Sequence, residues 1–220
     1  LWVPGESQFS NPTHLAALVS ACQSLGVTLH EHAGMCQVQV ANGSLAGIST
    51  GGEEFVGDQY FFTAGPWTEQ LIKPLEIVLP MQPVRGQIAL YKVDPLSSAF
   101  GLPVINDGSR HLVPRTDGHV LAGATIEEVG FDCRTTASEV EELRGWAESF
   151  GGNLSDATFI RSWAGLRPAT YDGFPYLGKL GDSGNAFVAT GHFKSGLHLS
   201  TGTAVVLADL ADEKEPTVDL

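Results

Sequence analysis

The sequence predicts an α+β chain built on a large, mostly antiparallel sheet flanked by helices. Short runs of strand composition recur along it, separated by Asn42-Gly43, Asp107-Gly108 and Asp117-Gly118. Such dipeptides favour the tight turns of hairpins, so neighbouring strands should pair in sequence. Helical periodicity, by contrast, is confined to three segments near 11–26, 137–150 and 196–211. No internal repeat and no low-complexity linker interrupts the pattern.

The first helix is predicted over residues 11–26. Asn11 can cap it, Pro12 suits its first turn, and Leu15, Leu18, Val19, Cys22 and Leu25 recur at spacings of three and four before Gly26. Strand-like runs follow at 27–31, 37–40, 45–49 and 59–63, and a second set at 87–91, 102–105, 111–115 and 119–124. The next helix, 137–150, opens on Thr136 and Glu139 at capping-box spacing and carries Val140, Leu143, Trp146 and Phe150 on one face. A strand near 157–163, a Gly/Pro-rich loop over 164–178, a strand at 186–190 and a helix at 196–211 complete the fold. Residues 212–220 form a polar tail expected to fray.

The chain has 220 residues, enough for one large domain or two small ones. With 12 Lys+Arg against 25 Asp+Glu, its formal charge of −13 argues against nucleic acid or an anionic membrane as partner. No apolar run approaches the roughly 18–20 residues that a membrane-spanning helix needs. The first segment, with Pro4, Glu6 and Asn11, lacks the pattern of a secretion signal. Cys22, Cys36 and Cys133 are odd in number and without CxxC spacing. They read as buried, inert, reduced thiols in a cytoplasmic setting. The first methionine is Met35, so the sequence is expected to begin inside a longer gene product.

Most chemistries find no foothold. His30 and His32 would share one strand face, but no carboxylate or cysteine joins them at ligand spacing, so no metal site is predicted. Ser195 lies four residues after Gly191 rather than two, which breaks the nucleophile-elbow pattern. Neither a G-x-G-x-x-G nor a Walker loop occurs. The run Glu139, Glu141, Glu142 reads as a solvated helix face.

Two glycine-rich stretches remain. In Trp163–Gly173, Arg167 precedes Pro168 and so should lie on extended backbone, where a guanidinium can grip a carboxylate with two parallel hydrogen bonds. The plainer reading pairs it with a structural carboxylate such as Asp172. In Thr190–Gly196, glycines let backbone approach a flat ligand, and the helix that follows turns its positive end toward that ligand. The plainer reading there is an ordinary strand-to-helix turn.

These stretches resemble the D-amino-acid-oxidase superfamily of FAD enzymes, most closely its branch of glycine oxidases of thiamine biosynthesis. Asn11-Pro12, Ala64-Gly65-Pro66-Trp67, Pro83–Gln87 and the run Val113-Pro114-Arg115, Asp117-Gly118, Gly123-Ala124-Thr125 agree in order and approximate spacing. The resemblance implies FAD as cofactor, a small amino acid or amine as substrate, and oxygen or another acceptor for the electrons. It implies hydride transfer from the substrate α-carbon to the flavin, an imine product, peroxide on reoxidation, and often a homo-oligomer. Arg167 matches the family arginine that binds the substrate carboxylate. His192, Phe193, Lys194, Ser195, Gly196, Leu197 and His198 match the segment against the flavin ring, and Met35 a backbone contact to FAD. Lys194 replaces a usual Arg, His111 a Tyr that helps hold the substrate, and Ile126 a Met of the pocket wall.

By the same resemblance residues 1–66 are part of the FAD-binding region and the approach to the substrate domain. Residues 67–162 form the substrate-binding sheet domain, and 163–211 complete the flavin site. A D-amino-acid dehydrogenase, a sarcosine-oxidase-like enzyme and a non-catalytic binding module on the same fold are the rival expectations. The fragment alone is expected to be inactive, lacking the nucleotide-binding motif that opens family members.

Overall fold

The computed structural model describes residues 4–5, 7–94, 103–149, 154, 156–181, 184–216 and 218. Leu102 and Phe150, assigned above to a strand and a helix, lie outside the described residues, as do Glu6 and part of the tail. In chain order the first elements are α1 (Asn11–Ser24), β1 (Gln37–Ala41), β2 (Ser44–Thr50), β3 (Glu53–Phe55) and β4 (Tyr60–Phe62). Then come α2 (Thr68–Ile72), β5 (Met81–Lys92), β6 (Ile105–Asp107), β7 (Arg110–Pro114) and β8 (His119–Gly123). The last are α3 (Ala137–Glu148), β9 (Thr158–Thr170), β10 (Tyr176–Lys179), β11 (Ala186–Thr190) and α4 (Gly196–Ala211). The α+β expectation holds.

A five-stranded antiparallel sheet, ordered β6-β7-β8-β5-β9, dominates. A smaller antiparallel sheet joins β1, β2 and β3, and a third joins β10, β11 and β4, with β11 and β4 parallel. Side chains of the large sheet alternate between two faces. Leu112, Ala122 and Ala89 sit side by side on one face, fully buried, and α3 covers them through Ala147. His111, Gly123 and Ile88, one step along each strand, therefore look the other way. Arg167 shares that second face, because it stands opposite Val84 in register with Ile88.

β11 shows why an unbroken apolar run can still be read by faces. Ala186 and Val188 point into a core with Phe62 and Ile72, while Phe187 and Ala189 meet Leu207 of α4. This buried strand carries the chain into the loop at 191–195.

Several expectations need correction. Residues 164–170 continue β9 rather than forming a loop, and 27–31 is not a strand. Pro83 and Pro168 face each other across β5 and β9. Arg85 exchanges both backbone hydrogen bonds with Glu127 on β5's other edge, so residue 83 likewise points its missing N–H away from β9. Two prolines thus sit in the pair without breaking a rung. Ser10, not Asn11, is the N-cap of α1, and Thr136 makes no capping-box bond. The Gln87 side chain serves α3 instead, accepting from the Thr136 N–H at 2.8 Å.

The α1 stripe forms but faces outward: no residue of that helix is buried, and Leu15, Leu18 and Val19 are about half exposed. Cys36 and Cys133 are exposed and Cys22 half-buried, so the thiols are free, as expected, but not buried. Glu142 on α3 pairs with Arg110 but stays exposed, as a solvated helix face predicts. No described helix is long and apolar enough to cross a membrane.

Candidate functional site

Arg167 owes its place to a missing side chain. A Cβ on Gly86 would stand 2.2 Å from the Arg167 Nη2, so only glycine at that position of β5 lets the guanidinium lie over the strand. Its Nη1 donates to the Thr125 carbonyl at 3.1 Å. Among the described residues no carboxylate lies within ion-pair distance. Asp172, the structural partner considered from the sequence, instead accepts from the Phe174 N–H at 3.0 Å. Burial therefore pulls the Arg167 guanidinium below the usual arginine value with no anion to offset it.

The loop before α4 closes on the same strand. Gly191 has φ +83°, and a Cβ there would stand 2.5 Å from Thr170 Cγ2, so glycine is required twice over. The Phe193 N–H donates to the Pro168 carbonyl at 3.0 Å, and residues 169 and 192 form a bridge. Residues 192–193 are thereby pinned to β9 one and two positions beyond Arg167. The His192 ring is engaged with the Thr203 hydroxyl at 2.9 Å on α4 and is held below its ordinary pKa by burial. One ring nitrogen, Nε2, is thus tied to α4. Ser195 makes no side-chain cap, and the Leu199 N–H is the first in α4 to return to the Ser195 carbonyl. The N–H groups of Gly196, Leu197 and His198 open α4 without a helical acceptor, a setting that favours negative charge.

His111 joins these residues from β7. His111 looks out on the sheet face that Arg167 shares, and burial, then Lys194, then Arg167 hold its pKa below the ordinary value. Lys194 is exposed, its Nζ 5.5 Å from the centre of the Phe193 ring. In a chain of charge −13, two cations, Arg167 and Lys194, act on a largely neutral His111 here, without a carboxylate among the described residues. The group can orient an anion and stabilise electron density on a flat neighbour.

Met35 stands apart from this group. It is 89% exposed and lines a cleft of about 340 Å³ with Gln37, Gln39 and residues 49–54. A second cleft of about 380 Å³ adjoins it, containing His30, whose ring meets Phe55 edge-on at 4.7 Å. His32 has left-handed backbone and lies on no strand, so the two histidines do not share a strand face. Among the described residues no group of three His, Cys, Asp or Glu could hold a metal.

A polar cluster behind Arg167 was not anticipated. Arg85 and Gln87, both buried on the face opposite Arg167, converge with Thr125, Glu127 and Thr136. Arg85 donates to Glu127 at 2.5 Å and to the Arg134 carbonyl at 2.9 Å, and lies 3.3 Å from Asp132. The signal was in the sequence: Arg85 and Gln87 alternate on a strand, and two polar residues at core positions require partners.

Comparisons with known proteins agree along the whole chain. It is 34% identical over 221 residues to a glycine oxidase of Pseudomonas aeruginosa, covering 100% of this chain and 60% of that one. It is 32% identical over 212 residues to the bifunctional protein ThiO/ThiG of Synechocystis, covering 95% and 31%. The crystal structure of glycine oxidase from Geobacillus kaustophilus superposes with a TM-score of 0.88 at 30% identity, covering 99% and 58%. The chain thus spans about 60% of the length of such curated relatives. The DAO family, described as FAD dependent oxidoreductase, matches residues 1–210, and the chain belongs to that family.

Proposed function

We propose that this chain is the substrate-binding and C-terminal part of a flavoprotein that oxidises glycine or a similarly small amino acid or amine. The observation that carries the reading is the pair of cations Arg167 and Lys194 with neutral His111, without a carboxylate among the described residues, beside the uncapped start of α4. The residues present fit the ring end of FAD: the N–H groups of Gly196, Leu197 and His198, which open α4 without a helical acceptor or side-chain cap, suit an electron-rich edge. Residues 192–198 would hold that edge, and Met35, which lines a separate cleft, would be a backbone contact to another part of FAD. When bound, FAD supplies the acceptor for the hydride lost from the substrate α-carbon. The chain's own work is positional. Arg167 grips the carboxylate, Lys194 adds positive potential, His111 in its neutral form can offer a ring nitrogen, and α4 stabilises negative charge at its N-terminus.

In this reading residues 67–162 form the substrate-binding domain, 1–66 and 163–211 lie on the flavin side, and β9 runs between them. Similarity to ThiO/ThiG supports a place in making the thiazole of thiamine, and a cytoplasmic setting goes with it. The test uses the full-length gene product. Its visible spectrum should show bound flavin that bleaches when glycine is added without oxygen, with peroxide formed on readmitting air. Bleaching without peroxide would make it a dehydrogenase with another acceptor, and colourless protein that cannot be reconstituted would refute the flavoenzyme. Replacing Arg167 with Ala should lower kcat/KM about 10–100-fold, matching the roughly 1.5–3 kcal/mol of a charged hydrogen bond. An unchanged rate would remove Arg167 from the site.

A further inference from the structure

Arg167 presents an unusual problem of orientation. A carboxylate beside it would fix the guanidinium but neutralise it, leaving little attraction for an anionic ligand. A guanidinium on a flexible stem with no partner would be charged but loose. The chain does neither: among the described residues the hydrogen-bond partner of Arg167 is the neutral Thr125 carbonyl. What fixes Arg167 is whatever fixes Thr125.

Thr125 is held from three sides. Its hydroxyl accepts from the Gln87 N–H at 2.8 Å and donates to the Glu127 carboxylate, and its own N–H donates to the Gln87 carbonyl at 3.3 Å. Glu127 is the hub. Its carboxylate also receives Arg85 at 2.5 Å and Gln87 at 2.9 Å, and its backbone exchanges bonds of 3.0 and 2.8 Å with Arg85. Arg85, Gln87 and Thr125 are nearly or fully buried. We propose that Glu127 is a positioning residue: through Thr125 it aims the carbonyl that orients Arg167, and so sets selectivity for ligands bearing a carboxylate. The negative charge is spent on Arg85 one step away, which leaves Arg167 oriented and still cationic. The inference rests on Arg167 being the carboxylate-binding residue proposed above.

The test uses flavin-loaded full-length protein and two readouts. One is KM and kcat for glycine. The other, independent of turnover, is the affinity for acetate, a carboxylate without an amine, from its effect on the melting temperature. Glu127→Gln should raise KM for glycine and weaken acetate about tenfold each, the worth of one charged hydrogen bond, with kcat unchanged. Thr125→Val should do the same, while Thr125→Ser, which keeps the hydroxyl, should match the parent. Acetate affinity unchanged in Glu127→Gln but lost in Arg167→Ala would overturn the role of Glu127 and leave Arg167 in place. Acetate affinity unchanged in Arg167→Ala would overturn the reading of the site itself. Should Glu127→Gln not fold, the Thr125→Val and Thr125→Ser pair decides: equal acetate affinity in the two refutes the proposal.

Discussion

Two glycines and one histidine govern the site at the scale of single residues. Gly86 and Gly191 are both intolerant of a Cβ, but for different neighbours. At Gly86 the obstacle is the mobile end of Arg167; at Gly191 it is Thr170 Cγ2, followed at 3.4 Å by the Pro175 and Tyr176 backbone. Gly86→Ala should therefore leave the melting temperature nearly unchanged while KM for glycine rises about tenfold, since the nearest atoms a Cβ would displace belong to the guanidinium. Enzyme kinetics alongside a thermal melt would separate the two effects. His111 makes a pH prediction. Its folded pKa lies below the ordinary 6.5 because burial, Lys194 and Arg167 disfavour its cation. The unfolded chain thus takes up a proton that the folded chain resists, so His111 costs stability as pH falls through 6.5, and the cost levels off below the folded pKa. Melts between neutral and mildly acid pH should show a smaller loss for His111→Asn than for the parent. His192, lowered by burial, acts in the same direction and persists in that variant.

Among the elements, the β5–β9 pair is the frame of the site, and the core beneath the large sheet keeps it rigid. Leu112 on β7 is fully buried in a cluster with Ala89, Tyr91, Val120, Ala122 and Ala147. Truncating it to Ala should cost about 2–5 kcal/mol by chemical denaturation. His111, its neighbour on the opposite face, would lose its platform only through that destabilisation. Hairpins marked by Asp-Gly turns were legible in the sequence, as were α3 and α4, because turn chemistry and helical periodicity are local signals. β9 was legible only in its first half. Gly165 and Pro168 read as loop residues in isolation, yet β5 supplies a partner for each position, glycine opposite glycine and proline opposite proline.

For the molecule as a whole, open surface is the dominant fact. The apolar stripe of α1 leaves Leu15, Leu18 and Val19 about half in solvent. The 220-residue chain by itself should bind a hydrophobic dye, and serine at Leu15 and Leu18 should reduce the fluorescence; no change would place the dye elsewhere. What the sequence determined by itself was the fold class, most elements, family membership and the identity of Arg167, Lys194 and the 192–198 segment as a group of interest. These depend on local propensity and on motifs whose order survives in one dimension. Tertiary structure alone decided that Arg167 would have no carboxylate partner among the described residues, and that Glu127 and Arg85 would pair behind it. It also decided that His111 would face it from β7. Charges 42 residues apart, such as Arg85 and Glu127, meet only through strand register. Register is set by the packing of two sheet faces, which no single segment encodes.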